Sequence, residues 1–184
     1  MSTTSKHHPT APAGPVDRDP VEIETKRFGT ITVAGDEQFD VPRGIPGFAG
    51  LRRAVLLAAP VREPEADPHS LFWLQDLDDG DLAFLCVVPW DLFPDYDLEI
   101  DEDEFGISDS VDVRVLNLVT VRAPERQTGM TVNLRAPLVV DVRRRQLFQT
   151  ILADQRWPIS APVAKATTSA AHKATAHADT QDGV

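Results

Sequence analysis

Leu71-Phe72-Trp73-Leu74-Gln75 and Leu82-Ala83-Phe84-Leu85-Cys86-Val87-Val88 are two short apolar runs, and Asp78-Asp79-Gly80 between them is a hairpin-turn signal. Their lengths suit strands buried on both faces better than helices. Working upstream, Ala54-Val55-Leu56-Leu57 has the same character. Val21-Glu22-Ile23-Glu24-Thr25-Lys26 alternates at period two, Thr30-Ile31-Thr32-Val33 is β-branched, and Gln38-Phe39-Asp40-Val41 follows the Ala34-Gly35-Asp36 turn. Working downstream, Val111 to Arg122 alternates, with Val111, Val113 and Val115 on one face and Asp112 and Arg114 on the other. Met130 to Leu134 and Leu138 to Val142 are further strands, and the β-branched Thr150 and Ile151 favour a strand over Leu147 to Leu152.

About ten short strands with turn signals between them predict an all-β fold, a small antiparallel β-barrel-like domain with one or two short helices. The best helix candidate is Asp101 to Ile107, whose run of acids suits the positive end of a helix dipole. In Pro42-Arg43-Gly44-Ile45-Pro46-Gly47-Phe48 the prolines fix φ and the glycines permit positive φ, which predicts a rigid loop folding Ile45 and Phe48 onto the core.

The core-forming residues are unevenly spread along the 184 positions. Residues 1–20 and 161–184 hold too little apolar surface to offset chain entropy and are expected to be disordered tails around a domain over 21–160. The net charge of −11 sits in that domain, which has 25 acids and 14 bases between Val21 and Ile159. Such a field repels phosphates and attracts basic partners, so direct nucleic-acid binding is not expected. The single cysteine, Cys86, lies inside an apolar run and fits a reducing compartment. No apolar stretch reaches membrane-span length and the N-terminus has no signal-peptide core. The reading is a soluble, cytoplasmic chain, monomeric when free.

The chemistry of the common enzyme classes is missing from the sequence. Gly44-Ile45-Pro46-Gly47 has the wrong spacing for a phosphate loop. His7, His8, His69, His172 and His177 fall in the tails or in a Pro-rich loop, without the rigid mount that proton transfer or metal ligation needs. Asp95-Tyr96-Asp97-Leu98-Glu99-Ile100-Asp101 carries carboxylates at every second position, as an EF-hand does. It has Ile100 where that loop needs glycine and Gly106 where it needs a bidentate glutamate. Strand alternation explains the same spacing, with Tyr96, Leu98 and Ile100 inward and the acids outward. No catalytic residue, metal ligand or cofactor is assigned. Ten acids occur from Asp91 to Asp112 without one Lys or Arg, which reads as a docking surface for a basic partner or as a solvated face. Arg143-Arg144-Arg145 reads as a solvated turn beyond a strand, with pairing to the acidic face or a separate site as alternatives.

Several segments, in order, resemble one family, the flagellar assembly factor FliW. They are Thr25-Lys26-Arg27-Phe28-Gly29, Arg43-Gly44-Ile45-Pro46-Gly47-Phe48, Phe72-Trp73-Leu74-Gln75-Asp76, Leu82-Ala83-Phe84, Pro89 and Pro94-Asp95-Tyr96. The most specific is Thr131-Val132-Asn133-Leu134-Arg135-Ala136-Pro137-Leu138-Val139-Val140, followed by Gln149-Thr150-Ile151-Leu152 and Pro158. One departure is Leu147, where the family usually has glycine. The resemblance implies a β-barrel-like domain without catalytic residues and two protein partners: flagellin while still cytoplasmic, and the translational repressor CsrA, which flagellin displaces as it accumulates. On charge complementarity plus one aromatic anchor, the expected contact face for the repressor is Asp78, Asp79, Asp95, Tyr96 and Asp97. The runner-up is a small β-barrel that binds a ligand or carries a hydrolytic site in its interior or mouth.

Overall fold

Period-two patterning and hairpin turns produce eleven strands in the computed structural model, which describes residues 18–59, 71–99, 112–121 and 129–163. They are Val21–Thr25 (β1), Gly29–Val33 (β2), Gln38–Asp40 (β3), Arg53–Ala58 (β4), Leu71–Asp76 (β5), Ala83–Val87 (β6), Val113–Val121 (β7), Met130–Val132 (β8), Leu138–Asp141 (β9), Gln146–Gln149 (β10) and Ala161–Pro162 (β11). Two short 3₁₀ turns, Gly35–Glu37 and Pro89–Asp91, lie wholly within the described residues. The helix expected over Asp101–Ile107, most of both expected tails and all five histidines lie outside the described residues.

Seven strands close a barrel. β3, β4, β5, β6 and β7 join in order by antiparallel pairs, the first half of β7 pairs with β9, and β9 pairs with β10. β10 then returns to β3 through a parallel pairing, Gln146 against Asp40, with Asp40 N donating to the Arg145 carbonyl at 2.8 Å. The nine residues of β7 are enough for two partners on one edge: Val113 to Leu116 take β9, and Val119 to Val121 leave the barrel to take β8, which carries β11.

The barrel interior is filled by side chains. Ala54, Leu74, Cys86, Leu138 and Leu147 are fully buried there, and burial pushes the Cys86 thiol up to about 12. An inert packing role, not a nucleophile, is the consequence. The 42–48 loop seals the barrel at one side. Gly44 and Gly47 take φ of +66° and +87°, and Ile45 is 2 % exposed. Phe48 differs from expectation: it rests edge-on against Phe84 with centroids 4.8 Å apart but stays half-exposed.

Outside the barrel lie two further layers. The β1–β2 hairpin places Ile23, Ile31 and Val33 on Val55, Leu57 and Leu77 of the barrel wall. A second lobe gathers Tyr96, Val132, Leu134, Leu152 and Ala161 with Trp157. The ordered contacts run slightly past the expected 21–160 boundaries. Arg18 pairs with Asp40, the Gln38 amide donates to the Asp19 carbonyl, and Ala161 pairs with Val132.

Candidate functional site

The acidic segment after β6 is held by aromatic rings. Pro89 starts a 3₁₀ turn, where its missing N–H is no loss, and its carbonyl accepts from Leu92 and Phe93 at 3.1 and 2.8 Å. The Trp90 indole N–H donates to the Tyr96 carbonyl at 2.8 Å, and the Trp157 indole donates to the Asp97 carbonyl at 2.7 Å. The Tyr96 ring packs between them, 4.9 Å from Trp157 and 6.2 Å from Trp90. Its hydroxyl donates to the Leu134 carbonyl at 2.9 Å, and burial raises its pKa.

With Tyr96 and Leu98 turned inward, Asp91, Asp95, Asp97 and Glu99 all face solvent. The inward–outward alternation is as the sequence predicts through Glu99, with Ile100 outside the described residues, but Asp95 lies in a turn and residues 96–99 belong to no strand. The rings, with side-chain donors bonded to backbone carbonyls, do what strand pairing was expected to do. Trp90 and Leu92 protrude among the acids, 41 % and 39 % exposed.

Beside this segment, Asp97, Glu99, Asp154, Arg156 and Trp157 line a cleft of about 230 Å³. Arg156 pairs with Asp154, lies 3.8 Å from Asp97 and sits over the Trp157 ring, while its backbone N–H bond to Asp154 holds that carboxyl below the usual range. Arg135 braces the cleft from behind through the Trp157 and Gln155 carbonyls.

Asp78 and Asp79 sit elsewhere. They belong to the β5–β6 turn, whereas Asp95 and Asp97 follow the other end of β6. The six residues of β5 put roughly 16 Å or more between the two groups at about 3.3 Å per residue. Asp78 chelates the Arg53 guanidinium, which raises the arginine's pKa, and Asp79 Oδ1 accepts from the Asp81 N–H at 3.0 Å. Asp76 beneath them is 3 % exposed; burial lifts its pKa although it accepts from the Asp78 N–H. The five residues expected to share a face are therefore divided between two ends of the barrel, and Tyr96 is a buried brace instead of an exposed anchor. Trp90 and Leu92, not Tyr96, are the exposed large apolar side chains of this segment. Sequence reading passed over them, although a tryptophan between proline and aspartate in Pro89-Trp90-Asp91-Leu92 stands outside every strand pattern.

The Asn133 to Val140 segment is explained by the fold. Asn133 Oδ1 accepts from the Ala136 N–H at 3.1 Å, its carbonyl accepts from the Asn117 amide at 2.6 Å, and the Gln149 amide donates to the Ala136 carbonyl. In the arginine turn, Arg144 N–H donates to Asp141, Arg145 has φ of +53°, and Arg143 lies 3.5 Å from Asp112 at the border of the acidic tract.

A family model described as FliW protein matches residues 22–163. A flagellar assembly factor FliW of Alkaliphilus metalliredigens (strain QYMF) is 36% identical over 133 residues, covering 71% of this chain and 78% of the relative. One from Treponema pallidum (strain Nichols) is 35% identical over 140 residues, covering 74% and 87%. A solved structure, described as the crystal structure of the flagellar assembly factor FliW, superposes with a TM-score of 0.66 at 26% identity. It covers 78% of this chain and 97% of the solved one.

Proposed function

This chain belongs to the FliW family of flagellar assembly factors, and from that premise we propose that it binds cytoplasmic flagellin and antagonises a CsrA-type translational repressor by protein–protein contact. The observation that carries the reading is the ring-braced end of the barrel, where Trp90 and Leu92 protrude among Asp91, Asp95, Asp97 and Glu99. An aromatic anchor inside a rim of one charge suits a basic partner surface, since an RNA-binding repressor carries basic groups. Each partner lowers the other's occupancy by competing for this chain, so flagellin level sets repressor activity. Asp95 and Asp97 belong to this contact surface; Asp78 and Asp79, at the other end, form a separate acidic corner in which Asp78 is already engaged with Arg53.

The runner-up reading, a barrel holding a ligand or a hydrolytic site, is disfavoured by the side chains that fill the interior. Calorimetric titration of the full chain with purified flagellin and with a CsrA-type repressor tests the proposal. Both should bind, and adding flagellin should release bound repressor. The triple change Asp91→Lys, Asp95→Lys and Asp97→Lys should weaken the repressor complex at least about tenfold and flatten its salt dependence. Absence of binding to either protein would overturn the function, and an unaltered triple variant would overturn the surface alone.

A further inference from the structure

The two edges of the β1–β2 hairpin are treated differently by the rest of the chain. β1 is backed by the β5–β6 turn: Lys26 N–H donates to the Gly80 carbonyl at 3.1 Å, and the Glu24 carbonyl lies so close that a Cβ on Gly80 would fall 2.0 Å from it. Among the described residues β2 pairs with β1 alone, and no other described backbone group bonds to Gly29–Val33. Exposed strand edges are normally blunted by a charge, a proline or a bulge. Gly-Thr-Ile-Thr-Val has none of these, and its register with β1 is unbroken over five pairs.

Beside that edge the barrel wall is apolar and incompletely covered. Leu57, Trp73, Leu85 and Val119 face each other in turn across β4, β5, β6 and β7, forming one row on the outer face. The hairpin covers the Leu57 end and the second lobe covers Val119. Between them Trp73 and Leu85 are only half-buried, with Arg27 above the Trp73 ring at 3.9 Å and Phe28 edge-on to it. Because β1 occupies the side toward Gly80, the open edge of β2 faces the opposite way along β5, over this row.

We propose that the open edge of β2 is a docking site for an extended segment of a partner polypeptide, which adds a third strand to the hairpin and lays alternate apolar side chains on Trp73 and Leu85. Main-chain hydrogen bonds supply affinity in this mode, and the side chains facing each way supply specificity. The outward side chains of such a strand would run beside uncharged Thr30 and Thr32, with Glu22 and Glu24 one strand further on and Arg27 at the hairpin turn, in a molecule of net charge −11. The fitting occupant therefore alternates apolar residues with Lys or Arg. A second copy of this chain would bring the same acidic field and is the poorer match. The site is distinct from the acidic end of the barrel and does not depend on the function proposed above.

The test uses the full chain and a capped nine-residue peptide alternating valine and lysine, followed by amide hydrogen exchange resolved by residue. Bound peptide should slow exchange at alternate amides of Gly29–Val33 by about tenfold or more, as ladder formation does. The same peptide N-methylated at alternate backbone nitrogens, and one alternating valine and glutamate, should give no protection. Leu85→Glu, at a half-exposed position, should weaken uptake at least about tenfold without lowering the thermal midpoint by more than a few degrees. Four results would each overturn the proposal: equal uptake of the N-methylated peptide, protection of Gly29–Val33 in the free chain, peptide-induced shifts confined to residues 91–99, or self-association that protects the same amides without peptide.

Discussion

Tyr96 has both of its chemical ends committed within the fold. Its ring lies between two indoles and its hydroxyl meets the Leu134 carbonyl, so it holds the acidic segment to the second lobe without reaching solvent. Replacing it by phenylalanine keeps the ring and removes one buried hydrogen bond, which should cost about 1 kcal/mol of unfolding free energy. Tyr96→Ala removes the ring as well and should cost about 3–5 kcal/mol. Urea unfolding checks both values. Repressor affinity should be unchanged in the phenylalanine variant, since no partner can touch a side chain 3 % exposed. Alternation in the sequence revealed that Tyr96 faces inward and its neighbouring aspartates outward. It could not reveal that Trp157, some sixty residues later, supplies the other half of the brace, because that contact is a product of lobe packing.

Among the elements, most strands were legible because period two, β-branching and turn residues agree along the chain. What local pattern could not supply was their arrangement. A hairpin reverses the chain, so residues on either side of β6 lie at opposite ends of the barrel, and this separates Asp79 from Asp95. The loop before β4 was readable from its glycines, and two of the chain's glycines distinguish its sources of strain. Gly44 needs positive φ, and a Cβ there would also fall 2.9 Å from the Ala49 Cα; Gly29 needs positive φ but has open space around it. Gly29→Ala should therefore lose about 1–2 kcal/mol, the conformational term alone. Gly44→Ala should lose measurably more in the same denaturation series, because the Ala49 backbone has to move.

Across the whole molecule, net charge of −11 opposes compaction as well as attracting basic partners. Some of the pairs that offset it locally, such as Arg53 with Asp78 and Arg156 with Asp154, lie at the surface. Raising ionic strength from about 0.01 to 0.15 M shortens the screening length from about 30 to 8 Å and should raise the thermal midpoint by a few degrees, read by calorimetry. The same salt should weaken the association with a basic partner, so stability and affinity move in opposite directions.

The parallel seam between β3 and β10 sets a timetable for synthesis. Asp40 leaves the ribosome about a hundred residues before its partner Gln146, an interval of about five to twenty seconds at ordinary elongation rates. Late in that interval, once β7 has emerged, a nascent chain can assemble the β3 to β7 meander, yet it carries an unpaired β3 margin and an open apolar trough where the closed barrel will be. The last barrel strands to be translated, β9 and β10, thus act as the clasp, and the newborn protein is most exposed to mispairing just before they emerge.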